Sequence, residues 1–184
     1  PHIELEKFIQ RNDLILINDV CESLGSWRDN KHAGIVGLAA SFSFYFSHHI
    51  TTMEGGGVAT NDDNFADDLR SIRSHGWSRD RMDVKEWNKH VSTNDSKFLF
   101  VSTGYNVRPM EIQAAIGSLQ IDSIDEFINR RRFIAKSVST ALKGSSLELI
   151  GSRMLEDKVN ERAHSWMLLP LRVKGENSLE KKNR

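Results

Sequence analysis

The chain has 184 residues and carries 25 Lys+Arg against 25 Asp+Glu, so no net field favours nucleic acid or an anionic membrane surface. One cysteine, Cys21, excludes an intrachain disulfide and any zinc or iron–sulfur site built from cysteines, which fits a reducing, cytoplasmic setting. No apolar run is long enough to span a bilayer, and the N-terminal residues lack the basic-then-apolar pattern of a signal peptide. Pro1 is not a natural start, and the chain reads as an internal piece of a longer one.

In chain order, residues 3–11 are predicted to form a short amphipathic helix. Residues 14–17, Leu-Ile-Leu-Ile, are a continuous apolar run that suits a parallel strand buried on both faces. The run ends at Asp19, which is either a helix cap or a carboxylate aimed at a ligand over the sheet edge. Residues 22–33 read as a loop with a short hairpin. Residues 35–46 read as a turn and a strand, with Ser41 and Ser43 on one face and Phe42 and Phe44 on the other. The histidine pair His48-His49 and the glycines Gly55-Gly56-Gly57 then lead into a strand over 58–60.

Asn61-Asp62-Asp63 marks a helix start, and Phe65, Leu69 and Ile72 give its apolar stripe, with the aspartates as caps and solvated face. His75-Gly76 ends that helix. Residues 78–97 are charged and aperiodic and read as a long surface loop. A short apolar run, 98–102, follows, and Pro109 stands near the start of a helix. Ile112, Ala115, Ile116 and Leu119 give that helix its stripe, which Ile121, Ile124, Phe127 and Ile128 extend or restart. Arg130-Arg131-Arg132 reads as a solvated face, with phosphate binding as the lesser alternative. A further helix runs to about Lys143 and stops at Gly144. Residues 147–150 and 166–173 read as strands of a smaller unit, and the charged tail 174–184 ends within it. The domain division expected is 1–143 and 144–184.

The richest stretch is 43–57. His48 and His49 as strand neighbours would point to opposite faces and could not share one ion, and His2, His32, His75, His90 and His164 show no paired ligand spacing, so no metal site is expected. A triad could be drawn from Ser47, His48 and Asp19, but there is no Gly-x-Ser-x-Gly elbow and a serine beside its own base is poorly placed. A lone histidine is by default a surface or satisfied core residue. His48 rises above that default through its combination with Asp19, Ser43 and the glycine turn.

Three ordered blocks carry a resemblance. Asn18-Asp19-Val20-Cys21-Glu22-Ser23-Leu24-Gly25 is similar to an Glu-Asp-x-x-Gln-x-Leu-Gly strand end. Ser43-Phe44-Tyr45-Phe46-Ser47-His48-His49, followed by Met53-Glu54-Gly55-Gly56, is similar to Ser-Phe-x-x-x-Lys-Asn and a glycine turn. Gly104-Tyr105-Asn106-Val107-Arg108, with Ala114-Ala115 beyond, is similar to Gly-Tyr-Asn-x-Arg and Ala-Ala. Together they resemble the DegT/DnrJ/EryC1/StrS sugar aminotransferases, pyridoxal-phosphate enzymes of the aspartate-aminotransferase-like fold (fold type I). The implied fold class is α/β: part of a large-domain mixed sheet with helices on both faces, then the start of a small C-terminal α/β domain.

One departure redirects the reading. The family's Schiff-base lysine is His48 here, and an imidazole cannot make that covalent link, although it shuttles protons near neutral pH. Ser47 to Gly56, Ser-His-His-Ile-Thr-Thr-Met-Glu-Gly-Gly, is similar to the family's sugar 3-dehydratases, nearest the group acting on GDP-4-keto-6-deoxymannose. The sister group acting on CDP-linked sugars carries cluster-binding cysteines, and residues 78–105 contain none.

The resemblance implies C3 dehydration of a nucleotide-linked 4-keto-6-deoxy sugar in deoxysugar and O-antigen biosynthesis. It implies pyridoxal 5'-phosphate cycling as pyridoxamine 5'-phosphate, an amino donor such as glutamate, and a homodimer. Asp19 would pair with the pyridine nitrogen, Ser43 with the phosphate, Glu22 would lie near the ring, and Asn106 would reach a phosphate across the dimer. His48 would be the catalytic base, and His49 would pack or orient the loop. The alternatives are an ordinary sugar aminotransferase and an inactive family member acting as a binding subunit.

Overall fold

The computed structural model describes residues 2–28, 30–156 and 163–175. Two short parallel strands set the frame. β1 (Ile17–Asp19) pairs with β4 (Ala39–Ser43) in the register Ile17↔Ala39 and Asp19↔Ser41. β5 (Gly56–Thr60) completes a mixed sheet by running antiparallel to β4, with Ser43 opposite Gly56. The parallel pair therefore delivers the ends of β1 and β4 to the same sheet edge, where loops carry functional groups in open α/β sheets. Between them, β2 (Trp27–Arg28) and β3 (Lys31–His32) form the small hairpin expected over 22–33.

α1 (His2–Arg11) precedes β1. α2 (Asp63–Ile72) starts where expected: Asp62 accepts the Phe65 N–H at 2.9 Å, satisfying an otherwise orphaned helix donor. The helix packs on β5. α4 (Glu111–Ile121) and α5 (Ile124–Ala141) are separate helices, so the second apolar stripe restarts rather than extends the first. α5 carries buried Ile128 and Ala135 into the interior. Ala135, Leu149 and Trp166 make a core, flanked by Leu142, Leu155 and Leu169, that binds α5 to the hairpin of β6 (Leu147–Leu149) and β7 (Leu171–Val173).

Several expectations change. The run 14–17 is not a strand buried on both faces: only Ile17 belongs to β1, and Ile15 is 78% exposed, because β1 is an edge strand among the described residues. Residues 78–97 hold structure. α3 (Val84–Asn88) and most of a 3-10 turn at Asp95–Phe98 lie in them, and the residues just before α3 are tied to α2 by Asp67. Asp67 is not solvated but 5% exposed; it accepts the Met82 N–H at 2.8 Å, the Asp83 N–H at 3.2 Å and Arg70 at 2.7 Å. Arg81 adds a fork to Asp83 and a second pair to Asp68.

Residues 98–102 contribute only a bridge, Trp77↔Phe100. In the expected strand 166–173, regular pairing begins at Leu171. Nor are Arg131 and Arg132 a solvated face. Arg131 donates to the carbonyls of Trp166 and Met167, and Arg132 to that of His164 at 3.1 Å, so both staple α5 to the segment before β7. The expected tail lies, from residue 176, outside the described residues.

Candidate active site

After Ser43 the chain leaves β4, and the strand ends three residues earlier than expected. His48 and His49 sit in a turn in which the His48 N–H donates to the Tyr45 carbonyl at 3.0 Å. The return to β5 is held by Thr52 N–H to Phe44 O at 2.8 Å and Phe44 N–H to Gly55 O at 2.9 Å. α4 grips the same return loop. Gln120 accepts the Thr51 N–H and donates to the Thr51 carbonyl, both at 2.9 Å, and Gln113 donates to the Glu54 carbonyl. Gly117 lies between them against the Thr52 methyl: a Cβ there would stand 2.9 Å from it. Thus the face of α4 that matters is Gln113, Gly117 and Gln120, at helical spacing. The expected stripe faces outward at Ile112 and Leu119, which is 77% exposed.

His48 is half-buried, and its Nδ1 lies 2.8 Å from the Cys21 carbonyl oxygen. A carbonyl only accepts, so Nδ1 carries a proton, and in the neutral ring Nε2 presents the lone pair. The Tyr45 ring stands edge-on to it at 6.3 Å. Asp19, at the end of β1, is exposed and accepts the Cys21 N–H at 3.0 Å. Hydrogen bonds from Cys21, with smaller help from the neighbouring His48 and Ser41, hold its carboxyl below the usual carboxylate range. The same contact, with burial, pushes the Cys21 thiol up.

Ser43 accepts the Tyr45 N–H at 3.3 Å, which leaves its hydroxyl proton free to donate. Glu22 is exposed in the turn after β1. Asn106 is exposed on another segment, bridged to Ser74, and among the described residues no hydrogen bond joins it to the His48 corner. Ser47 is exposed, and no hydrogen bond links it to His48 among the described residues, so the triad is not assembled. Also among the described residues, no three His, Cys, Asp or Glu side chains are grouped to hold a metal, and no helix is long and apolar enough to cross a membrane.

His49 is 4% exposed, and neither ring nitrogen makes a hydrogen bond. Its surroundings are Arg131, the Ser165 backbone and His164; burial first, then the Arg131 charge, pushes it down to about 4, so the ring is neutral. Beside it, Ser26 and Ser165 are both buried: the Ser26 hydroxyl donates to Ser165 Oγ and accepts the Ser165 N–H, each at 3.1 Å. Cys21, Ser26, Ser165 and the two glutamines escaped sequence reasoning. Only the i, i+7 spacing of Gln113 and Gln120 could have hinted at their role.

A mixed sheet whose parallel strands end in Asp19 and Ser43, with a histidine on the following turn, is part of the aspartate-aminotransferase-like fold of pyridoxal-phosphate enzymes. The chain belongs to the DegT/DnrJ/EryC1/StrS aminotransferase family, which it matches over residues 3–183. It is 44% identical over 132 residues to GDP-4-keto-6-deoxy-D-mannose 3-dehydratase of Escherichia coli O55:H7, covering 70% of this chain and 34% of that one. A crystal structure of a GDP-4-keto-6-deoxymannose-3-dehydratase variant with bound GDP-perosamine superposes with a TM-score of 0.81 at 35% identity, over 95% of this chain and 44% of that one. Another, with a trapped PLP–glutamate geminal diamine, gives a TM-score of 0.76 at 32% identity, over 94% and 44%. The chain spans about a third of the length of the curated relatives it matches.

Proposed function

We propose that the protein to which this chain belongs removes the C3 hydroxyl of a nucleotide-linked 4-keto-6-deoxy sugar, GDP-4-keto-6-deoxymannose above others, using pyridoxal/pyridoxamine phosphate. The observation that carries this is the setting of His48: its Nδ1 is engaged by the Cys21 carbonyl, which leaves Nε2 to take a proton, and on the motif's resemblance it stands in place of the family's lysine. The similarity to GDP-sugar 3-dehydratases supports the same reading.

The residues present fit the cofactor. An exposed carboxylate held ionised by Cys21 suits a protonated pyridine nitrogen, and the Ser43 hydroxyl, with its proton unspent, suits a phosphate. When bound, the cofactor supplies an amine for the sugar ketone and a ring that accepts electron density. Asp19 would hold the pyridine nitrogen in its protonated form. His48 Nε2 would accept a proton at the reacting centre and return it to the C3 hydroxyl, which would leave as water. The reading gives Glu22 a place near the ring and gives Asn106 a phosphate contact across a homodimer. It also includes glutamate as amino donor, a cytoplasmic location, and a division into a large-domain portion (1–143) and the start of a small domain (144–184).

The test is a product assay on the full-length protein, loaded with cofactor and glutamate, with GDP- and CDP-linked 4-keto-6-deoxy sugars. Ammonia and a 3-deoxy-4-keto sugar from the GDP substrate are expected. A 4-amino sugar would make the protein an aminotransferase, and no turnover on either sugar would leave a binding subunit.

A further inference from the structure

His49 is a buried imidazole that the reaction above does not use. It is adjacent to the base, lies 4% exposed, and packs where the His48 turn meets Ser165 and Arg131. Two routes lead from that place to His48. One is covalent: His49 is the next residue, so whatever seats its ring fixes the backbone that aims the His48 ring. The other runs through the acceptor. His48 donates to the carbonyl of Cys21, and the loop carrying Cys21 ends at Ser26, which is clasped to Ser165 by two hydrogen bonds of 3.1 Å. Both the base and the carbonyl that orients it are thus referenced to one short segment, 164–167. That segment is itself fastened to α5 by Arg131 and Arg132.

We propose that His49, seated against Ser165, is a positioning residue for His48, and that the Ser26–Ser165 clasp is its counterpart on the side of the Cys21 carbonyl. A turn of five residues outside the strands, 45–49, would otherwise let the base swing and exchange tautomers. With both ends referenced to one segment, Nδ1 stays on Cys21 and Nε2 stays toward the substrate. The seat is closed and abuts the Ser165 backbone, and an apolar ring of similar shape, as in His49→Phe, is expected to fill it. The proposal rests on the dehydratase reading for its kinetic consequence, but not for its structural one.

The experiment uses the full-length protein and the variants His49→Phe, His49→Ala and Ser26→Ala, with two readouts. The first is nitrogen NMR of histidine-labelled enzyme, which reports which nitrogen of His48 carries the proton. The wild type is expected to show the Nδ1–H form, with the Nε2–H form growing in His49→Ala and Ser26→Ala and less in His49→Phe. The second is dehydratase kinetics: kcat is expected to fall about 10- to 100-fold in His49→Ala with KM within about twofold, and His49→Phe to recover most of the loss. Unchanged His48 tautomer and kcat in a folded His49→Ala protein would overturn the proposal, as would a loss confined to melting temperature. If the wild type shows no dehydratase turnover, the functional reading falls, while the NMR readout still decides whether His49 orients its neighbour.

Discussion

His48 Nδ1 and the Cys21 carbonyl oxygen stand 2.8 Å apart, across 27 residues of chain. The contact turns an ambiguous imidazole into one with an assigned proton and an assigned lone pair. It also couples the ends of the two parallel strands, since Cys21 follows β1 and His48 follows β4.

His48→Asn retains a side-chain donor for the Cys21 carbonyl and removes the base. General-base loss costs about 10²–10⁴-fold in rate. Dehydration measured by ammonia release is expected to fall by that factor, with substrate affinity retained. His48→Lys should restore an amine that borohydride traps on the cofactor, seen as a mass increase on the peptide containing residue 48.

Asp19→Asn removes the negative charge that Cys21 and its neighbours keep ionised. A neutral amide cannot hold a pyridine nitrogen protonated, so both cofactor affinity and turnover are expected to drop. The bound-cofactor absorbance titrates the first and the product assay the second, with an expected loss of at least about 100-fold in turnover. An unchanged spectrum and rate would remove Asp19 from the site.

Acid should destabilise the protein in a defined window. His49 is pushed from 6.5 down to about 4, and burial lowers His32 and His164 in the same direction. Between pH 6.5 and about 4 the unfolded chain binds the His49 proton and the folded chain does not. Stability is therefore complete above about pH 6.5 and falls as the pH drops towards 4, by roughly 3 kcal/mol from His49 alone. Urea midpoints measured from pH 7.5 to 4.5 check the slope. His49→Phe should flatten it.

Gly25→Ala tests how closely β1's following turn approaches α5. Gly25 has φ of +76°, and an added Cβ would fall 2.0 Å from Ile128 Cδ1. Strain of the left-handed backbone and displacement of a buried isoleucine together are expected to cost about 2–4 kcal/mol, read as a lower denaturant midpoint.

Asp67→Ala leaves the Met82 and Asp83 N–H groups without their acceptor. A loss of about 2–4 kcal/mol is expected, with amide exchange in 80–90 rising faster than in β4.

The local signals were legible where chemistry is local. The Asp62 cap, the α2 stripe, the glycine-terminated helices and the position of β4 all follow from neighbouring residues. What failed was inference from polarity. The triple arginine and Asp67 look like surface groups in sequence. Arg131, Arg132 and Asp67 are buried or half-buried by backbone partners 15 or more residues away, which no window contains, while Arg130 does stay exposed. α4 failed the other way: its apolar residues promise an inner face, yet the loop offers bare backbone groups at Thr51 and Glu54, and amide side chains satisfy those better. The candidate site was legible as residue types through its motif. Its tautomer and its seat were not, because both depend on the carbonyl of Cys21 and the hydroxyl of Ser165.

The Ser26–Ser165 clasp also has a consequence for time. Its partners are 139 residues apart, so the corner that steadies the base is finished only when the chain past Ser165 has been made and folded. At roughly 5–20 residues per second of synthesis, the sheet edge waits on the order of ten seconds or more with the loop that carries Cys21 unclasped at Ser26. A nascent chain in that interval holds every side chain of the corner before Ser165 and yet lacks the Ser26–Ser165 clasp. Assembly order thereby leaves this corner without its Ser165 partner until synthesis has passed residue 165.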